Sequence, residues 1–137
     1  MQDTENTENT ENTENNERML TCRVVAMPEN TNAAGDIFGG WLLSQVDLAG
    51  STLAVKISSG RVATVAVNHF QFIKPVFVGD LISCWAQLDH IGTTSIRIRI
   101  EVDAERMRSS HDKERVAEAT FTYVALDAQG QPRAVLS

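Results

Sequence analysis

Apolar residues recur with the period of a helix in one long stretch of this chain and with the period of strands in several shorter ones. That stretch runs from Gly39 to Ile57 and has the length of a helix of about five turns. Apolar side chains point in most directions around it, as they do in a helix enclosed by the rest of a domain. We therefore predict a buried central helix, preceded by a turn at Gly35 and Asp36.

The predicted helix has two distinct faces. Apolar residues spaced one turn apart form the face that we expect to pack into the core: Leu42, Val46, Ala49, Leu53 and Ile57. Within about 60° of Asp47 the residues are small, apart from Leu43, and they comprise Gly40, Ser44, Gly50, Ser51 and Ala54. A face of small residues lets another backbone or a slender ligand come close, so we predict a contact surface there.

The strands are predicted from alternating burial and from runs of β-branched and aromatic residues. They span residues 20–26 before the helix and residues 61–72, 81–91, 96–103 and 115–126 after it, with a charged loop at 106–114. One helix and a set of strands joined mostly by short turns predict an α+β domain. In this arrangement an antiparallel sheet curls around the helix, which is the only element able to cover its apolar face.

Length and composition set the domain boundaries. A chain of 137 residues allows one domain with a substantial core. Residues 1–16 contain four Thr-Glu-Asn repeats and no apolar residue after Met1, so we expect a disordered tail there. We assign residues 17–131 to the domain and 132–137 to a C-terminal tail.

Charge and hydropathy narrow the function classes. The formal net charge is −6, of which the first sixteen residues contribute five acids and no base, so we expect no nucleic-acid partner. The start of the chain is not that of a signal peptide, and no run of apolar residues is long enough to span a bilayer. We expect a cytoplasmic protein with no membrane partner, in which Cys22 and Cys84 stay reduced.

Asp47 is the strongest candidate for a catalytic group. It is the only charged residue between Ile37 and Val55, in a stretch where an unpaired carboxylate would cost several kcal/mol. A carboxylate at such a position indicates a functional role. The alternative is a carboxylate that is merely solvated or bonded to Ser44. The chain's histidines, His69, His90 and His111, lack the spacing of metal ligands, so we predict no metal site.

Several spaced motifs resemble those of one family, the hotdog-fold acyl-CoA thioesterases. They are most similar to the small bacterial acyl-CoA thioester hydrolases of the YciA type, over about residues 18–127. The segments that carry the resemblance are Met27-Pro28, Asn32, residues 35–41 with the sequence Gly-Asp-Ile-Phe-Gly-Gly-Trp, Ser44-Gln45, Asp47, residues 60–62, 74–76 and 78–80. The resemblance implies a helix wrapped by a curved antiparallel sheet, double-hotdog homodimers with shared sites, and often trimers of those dimers. It also implies hydrolysis of acyl-CoA to a free acid and CoA without a metal or cofactor, CoA being part of the substrate.

The resemblance assigns roles to individual residues. It makes Asp47 the essential acid, the backbone amide of Gly39 or Gly40 the group that polarises the thioester carbonyl, and Asp36 a residue of the opposite edge of the site. Asp36 is also a candidate for a turn or N-cap role alone. Candidate substrate contacts are Asn32, Ser51, Arg61, Thr64, Val65, Lys74 and Arg97. The cations among them would meet the phosphates of CoA or, alternatively, belong to a solvated face of the sheet.

The spacing of these groups predicts that one chain cannot form the site alone. Asp47 lies eight residues beyond Gly39, which is about 12 Å along a helix axis. Two helices running antiparallel in a homodimer would bring Gly39 of one chain near Asp47 of the other, so we predict an inactive monomer. Asp47 acts either as a general base on water or as a nucleophile that forms an anhydride, and the sequence leaves both open.

Two other function classes remain as alternatives. A hotdog hydratase or dehydratase would pair a histidine with the acid, and the predicted helix contains none. A non-catalytic acyl-CoA sensor would keep the groove without needing Asp47.

Overall fold

In the described part of the chain, one α-helix packs on one antiparallel sheet. The computed structural model describes residues 17–106 and 112–136, so the predicted tail at 1–16 and His111 lie outside the described residues. The elements are strand β1 (Met19–Val25), a 3₁₀ turn (Pro28–Asn30), helix α1 (Gly39–Ser58), and strands β2 (Val62–Phe72), β3 (Leu81–Ile91), β4 (Ser95–Glu105) and β5 (Lys113–Ala125).

The order of the strands in the sheet is β1-β3-β4-β5-β2, and every neighbouring pair is antiparallel. Helix α1 contacts all five strands. The predicted α+β arrangement, an antiparallel sheet around a single helix, is confirmed. Because β2 ends the order, one long edge of this strand has no partner within the described chain.

The core lies between α1 and the inner face of the sheet. Leu42, Val46, Ala49 and Leu53 are buried as predicted, and Ile57 packs against the core while partly exposed. From the sheet, the alternating residues of β4 meet them: Ile96, Ile98, Ile100 and Val102. Each large side chain buried in this way stabilises the fold by roughly 1.5–3 kcal/mol.

The last strand begins earlier than the sequence predicts. Glu114 pairs with Ala104 and Lys113 with Glu105, so the predicted loop at 106–114 is too long at its end. The ladder with β4 continues through these charged residues because pairing in the sheet satisfies the hydrogen bonds of their backbone groups, whatever the side chains are. Residues 107–111 of that loop lie outside the described residues.

The described part of the predicted C-terminal tail packs on the domain. Val135 is 3% exposed, and its amide donates to the carbonyl of Thr93 at 2.9 Å. Nη2 of Arg133 donates to the carbonyl of Ser58, in the last turn of α1, at 2.7 Å. The domain therefore extends through residue 136 and does not end at 131.

The small-residue face of α1 serves two purposes. Gly40, Leu43 and Ser44 are exposed, whereas Gly50 and Ala54 are buried inside the chain. A methyl group at Gly50 would overlap the hydroxyl of Tyr123, so the prediction of a contact surface at this glycine is wrong. Gly50 is small because the sheet of the same chain approaches the helix there.

Residues 74–80 return from β2 toward the start of α1 and are fixed by buried polar contacts. Asp80 is 2% exposed, forms an ion pair with Arg106, and accepts a hydrogen bond from the amide of Phe77 at 2.8 Å. Nη2 of Arg106 also donates to the carbonyl of Pro75 at 3.0 Å. These bonds hold the segment that forms one wall of the pocket described below.

Cys22 and Cys84 lie opposite each other on β1 and β3, and both are free thiols. Cys84 is fully buried and Cys22 partly exposed. In the described part of the chain, no helix has the length and apolar character that a bilayer span requires.

Candidate active site

The N-terminus of α1 presents two free backbone amides. The N-cap residue Phe38 is extended (φ −67°, ψ 128°) and no side chain caps the helix. Backbone bonding starts with the amides of Trp41 and Leu42, which donate to the carbonyl of Phe38 at 3.0 and 3.3 Å. The amides of Gly39 and Gly40 precede these bonds and have no acceptor inside the helix, so they point toward any anion placed there.

The turn that leads into α1 is built around Asn32. Its Oδ1 accepts hydrogen bonds from the amides of Ala34 (2.9 Å) and Asp36 (3.1 Å). Gly35 adopts φ 89°, a conformation that favours glycine. The predicted substrate contact Asn32 therefore braces the turn, and Asp36 is not the N-cap, since Phe38 takes that position.

A pocket of about 310 Å³ opens beside these amides. It brings together three of the predicted site residues, Asp36, Gly39 and Lys74, on an otherwise mostly apolar wall. The remaining lining residues are Ile37, Phe38, Leu42, Phe72, Ile73, Pro75 and Val76. Gly39 lies close to the ring of Phe72, since a Cβ atom at this glycine would be 3.3 Å from Phe72 Cζ.

Asp47 is held by two hydroxyl groups from the sheet. Thr64 Oγ1 donates to Asp47 Oδ1 at 2.8 Å, and the hydroxyl of Tyr123 lies 3.1 Å from the same oxygen and 3.1 Å from the Asp47 carbonyl. Thr64 and Tyr123 are direct partners across β2 and β5, so one step of the sheet ladder supplies both donors. Asp47 Oδ2 accepts neither bond, and the carboxylate is only partly buried.

The neighbouring serines of α1 make other contacts. Ser44 Oγ donates to the carbonyl of Trp41 at 2.7 Å, so the alternative of an Asp47–Ser44 bond is not observed. Ser51 Oγ donates to the carbonyl of Leu48 at 3.0 Å. Both hydroxyls are satisfied by the backbone of their own helix.

The predicted cations do not gather around Asp47 within one chain. Lys74 Nζ pairs with Glu114 at 2.7 Å, beside the pocket at the helix N-terminus. Arg97 Nε pairs with Asp89 at 2.6 Å, and its side chain alternates with Ile96 and Ile98, which face the core. Arg61 is exposed just before β2, and Val65 is exposed at a bulge in that strand.

The two halves of the predicted site are separate in a single chain. Helix α1 is continuous from Gly39 to Ser58, so its free amides and Asp47 stand about 12 Å apart along the axis. Large apolar side chains near both halves are exposed, including Leu43 (37%), Leu48 (58%), Val65 (56%) and Val67 (46%). Exposed apolar surface on an edge strand and on a helix indicates an interface with another chain.

Sequence reasoning missed Tyr123. The alternation of β5 turns this residue inward with Phe121 and Ala125, and a buried tyrosine hydroxyl usually requires a polar partner. That signal predicts a partner without identifying Asp47. Among residues 17–106 and 112–136, no three His, Cys, Asp or Glu side chains are grouped as metal ligands would be.

Comparison with known proteins gives a consistent result. The model of the thioesterase superfamily matches residues 34–110. The acyl-CoA thioester hydrolase YciA of Escherichia coli is 49% identical over 118 residues, which cover 85% of this chain and 89% of that protein.

Solved structures of two further proteins are similar to this chain over most of its length. The hexameric thioesterase of Yersinia pestis matches with a TM-score of 0.82 at 49% sequence identity. The match covers 87% of this chain and 96% of the Yersinia pestis chain. The hexameric hotdog fold thioesterase of Campylobacter jejuni has a TM-score of 0.81 at 42% identity, with 84% and 88% covered.

Proposed function

Because this chain belongs to the thioesterase superfamily, we propose that it is an acyl-CoA thioester hydrolase whose active sites form between two subunits of a hotdog-fold homodimer. The observation that carries the proposal is the oriented carboxylate of Asp47. One of its oxygens is occupied by Thr64 and Tyr123, and the other accepts neither of these bonds. A carboxylate held in this way has the geometry of a general base or a nucleophile.

The free edge of β2 supports the dimer. In an isologous dimer, β2 of one chain would pair with β2 of the other, and the two α1 helices would then run antiparallel. The partner subunit would then cover apolar side chains that are exposed in one chain, namely Val65, Val67, Leu43 and Leu48. The relatives from Yersinia pestis and Campylobacter jejuni are hexameric, which favours a trimer of such dimers for this chain.

The proposed reaction begins with water bound at Asp47 Oδ2. Asp47 takes a proton from the water as its oxygen attacks the thioester carbonyl carbon. The amide of Gly39 or Gly40 from the other subunit donates a hydrogen bond to the resulting oxyanion. The carbon–sulfur bond then breaks, the CoA thiolate takes the proton that Asp47 holds, and the free acid remains.

Direct attack by Asp47 on the carbonyl carbon is the second proposed route. It gives a mixed anhydride between the aspartate and the acyl group, which water then hydrolyses. Both routes use the same amide donor and only protein groups and water, while CoA enters as part of the substrate.

Free Cys22 and Cys84 agree with a reducing compartment such as the cytoplasm.

The pocket at the helix N-terminus is the proposed site of the acyl chain. Its apolar wall of Leu42, Phe72 and Val76 suits the acyl chain next to the carbonyl. Asp36 would form the edge of the site opposite Asp47. Lys74, Arg61 and Arg97 remain candidates for the phosphates of CoA. The candidates for other parts of the substrate are Thr64, Val65, Asn32 and Ser51.

A panel of acyl-CoA esters with a thiol-reactive dye tests this function. We expect the purified protein to release one CoA thiol for each acid formed. A hydratase would add water to an enoyl-CoA without releasing a thiol, and a sensor would bind acyl-CoA without turnover. Either of those results would contradict the proposal.

A further inference from the structure

Among the residues that the structure describes, Tyr123 is the one buried polar side chain that reaches Asp47 from the core. Its ring lies in β5 with no exposed surface, packed beside Phe121 with ring centroids 6.3 Å apart. Its hydroxyl lies 3.1 Å from Asp47 Oδ1 and 3.1 Å from the Asp47 carbonyl. A buried hydroxyl left without a partner would be costly, and both of its partners belong to the same residue.

The environment keeps the phenol protonated. Burial, followed by the charge of Asp47 and the hydrogen bond to it, raises the pKa of Tyr123 far above its ordinary value. A phenol that stays protonated remains a donor toward the carboxylate. It is not suited to give up its proton during turnover.

Gly50 makes room for this contact. A Cβ atom there would overlap the hydroxyl of Tyr123 and lie 3.2 Å from Ile100 Cδ1. Glycine inside a helix is about 1 kcal/mol less favourable than alanine, so its presence in the middle of α1 requires a reason. The close approach of Tyr123 to the helix provides it, because any side chain at position 50 would push the hydroxyl away from Asp47.

We infer that Tyr123 is a positioning residue for hydrolysis: together with its cross-strand neighbour Thr64 it fixes Asp47 Oδ1, so that Oδ2 faces the reacting water. This inference rests on the proposed function. A carboxylate with one oxygen anchored by two donors has fewer rotamers available, so it is held in the reacting geometry. Gly50 supports the same geometry by admitting the hydroxyl.

The direct test is Tyr123→Phe, which keeps the ring and removes the hydroxyl. Without this donor the Asp47 carboxylate has more rotamers available and spends less time in the reacting geometry. We expect kcat to fall roughly 10- to 100-fold, as for the loss of a hydrogen bond to a charged group, with KM for acyl-CoA nearly unchanged. Gly50→Ala should also lower kcat, because it displaces the hydroxyl.

Phe121→Leu is the matched control. It removes a ring at the same depth of the same strand, without removing a donor to Asp47, and should lower the melting temperature while kcat stays near the wild-type value. A Tyr123→Phe enzyme with wild-type kcat would overturn the inference, whatever its stability.

A spectroscopic measurement separates failure of this inference from failure of the proposed function. Tyr123 is the only tyrosine of the chain, so phenolate absorbance during an alkaline titration reports on it alone. Asp47→Asn removes the charge beside the phenol, and Tyr123 should then ionise at lower pH than in the wild type. An unchanged titration contradicts the contact, whereas wild-type protein that releases no CoA thiol contradicts the function.

Discussion

Replacing Asp47 by asparagine is expected to lower kcat for acyl-CoA hydrolysis by about 10²- to 10⁴-fold, the usual contribution of a positioned general base. The amide oxygen of asparagine can still accept the hydrogen bonds from Thr64 and Tyr123, so the local fold should be kept. What is lost is the oxygen that takes a proton from water or attacks the carbonyl. Release of CoA thiol at saturating substrate measures this loss.

Ser44→Ala is the control for this variant. Ser44 lies on the same exposed face of α1, one turn before Asp47, and its hydroxyl bonds only to the carbonyl of Trp41. We expect near wild-type turnover from it. If Asp47→Asn also kept wild-type turnover, Asp47 would be neither the base nor the nucleophile.

Gly39→Pro is expected to produce the second large effect, a fall in kcat of about 10²- to 10³-fold, as for the loss of one oxyanion donor. Proline removes the amide hydrogen at the first position of the helix, where its ring is well tolerated. Phe38, the residue before it, already has the extended conformation that proline requires. The helix should therefore form while its first donor is missing.

Gly39→Ala separates the loss of the donor from crowding. Alanine keeps the amide hydrogen and places the same Cβ atom 3.3 Å from Phe72 Cζ. We expect the alanine variant to retain most of its activity in the thiol-release assay. Equal losses in the two variants would mean that the pocket at Phe72, and not the Gly39 amide, governs the rate.

The elements were predictable because burial imposes a period on the sequence. The core face of α1 and the alternation of β4 follow from which positions must be apolar, and both appear in the structure. The same logic made Asp47 a candidate for the site, since a charged side chain in an apolar stretch is costly unless it has a function. Small size is less informative, because Gly50 faces its own sheet although it looks like part of an outer surface.

The residues that hold the candidate site in place could not be predicted from the sequence, because their positions depend on the register of strand pairing. Tyr123 lies 76 positions from Asp47, and only the pairing of β5 with β2 places it beside Thr64. Asp36 and Lys74 meet in one pocket because the segment after β2 folds back over the helix N-terminus. The ion pairs of Arg97 and Lys74 likewise arise from neighbours that the sheet brings close.

The shared site is tested most directly by mixing two inactive variants. A dimer of one Asp47→Asn chain and one Gly39→Pro chain would contain one site with both defects and one site with none. Random pairing makes about half of the dimers mixed, so co-expression should restore about a quarter of the wild-type thiol release per dimer. Each variant alone should remain inactive. Mixed dimers with no more activity than the separate variants would place both groups in the same chain and contradict the account.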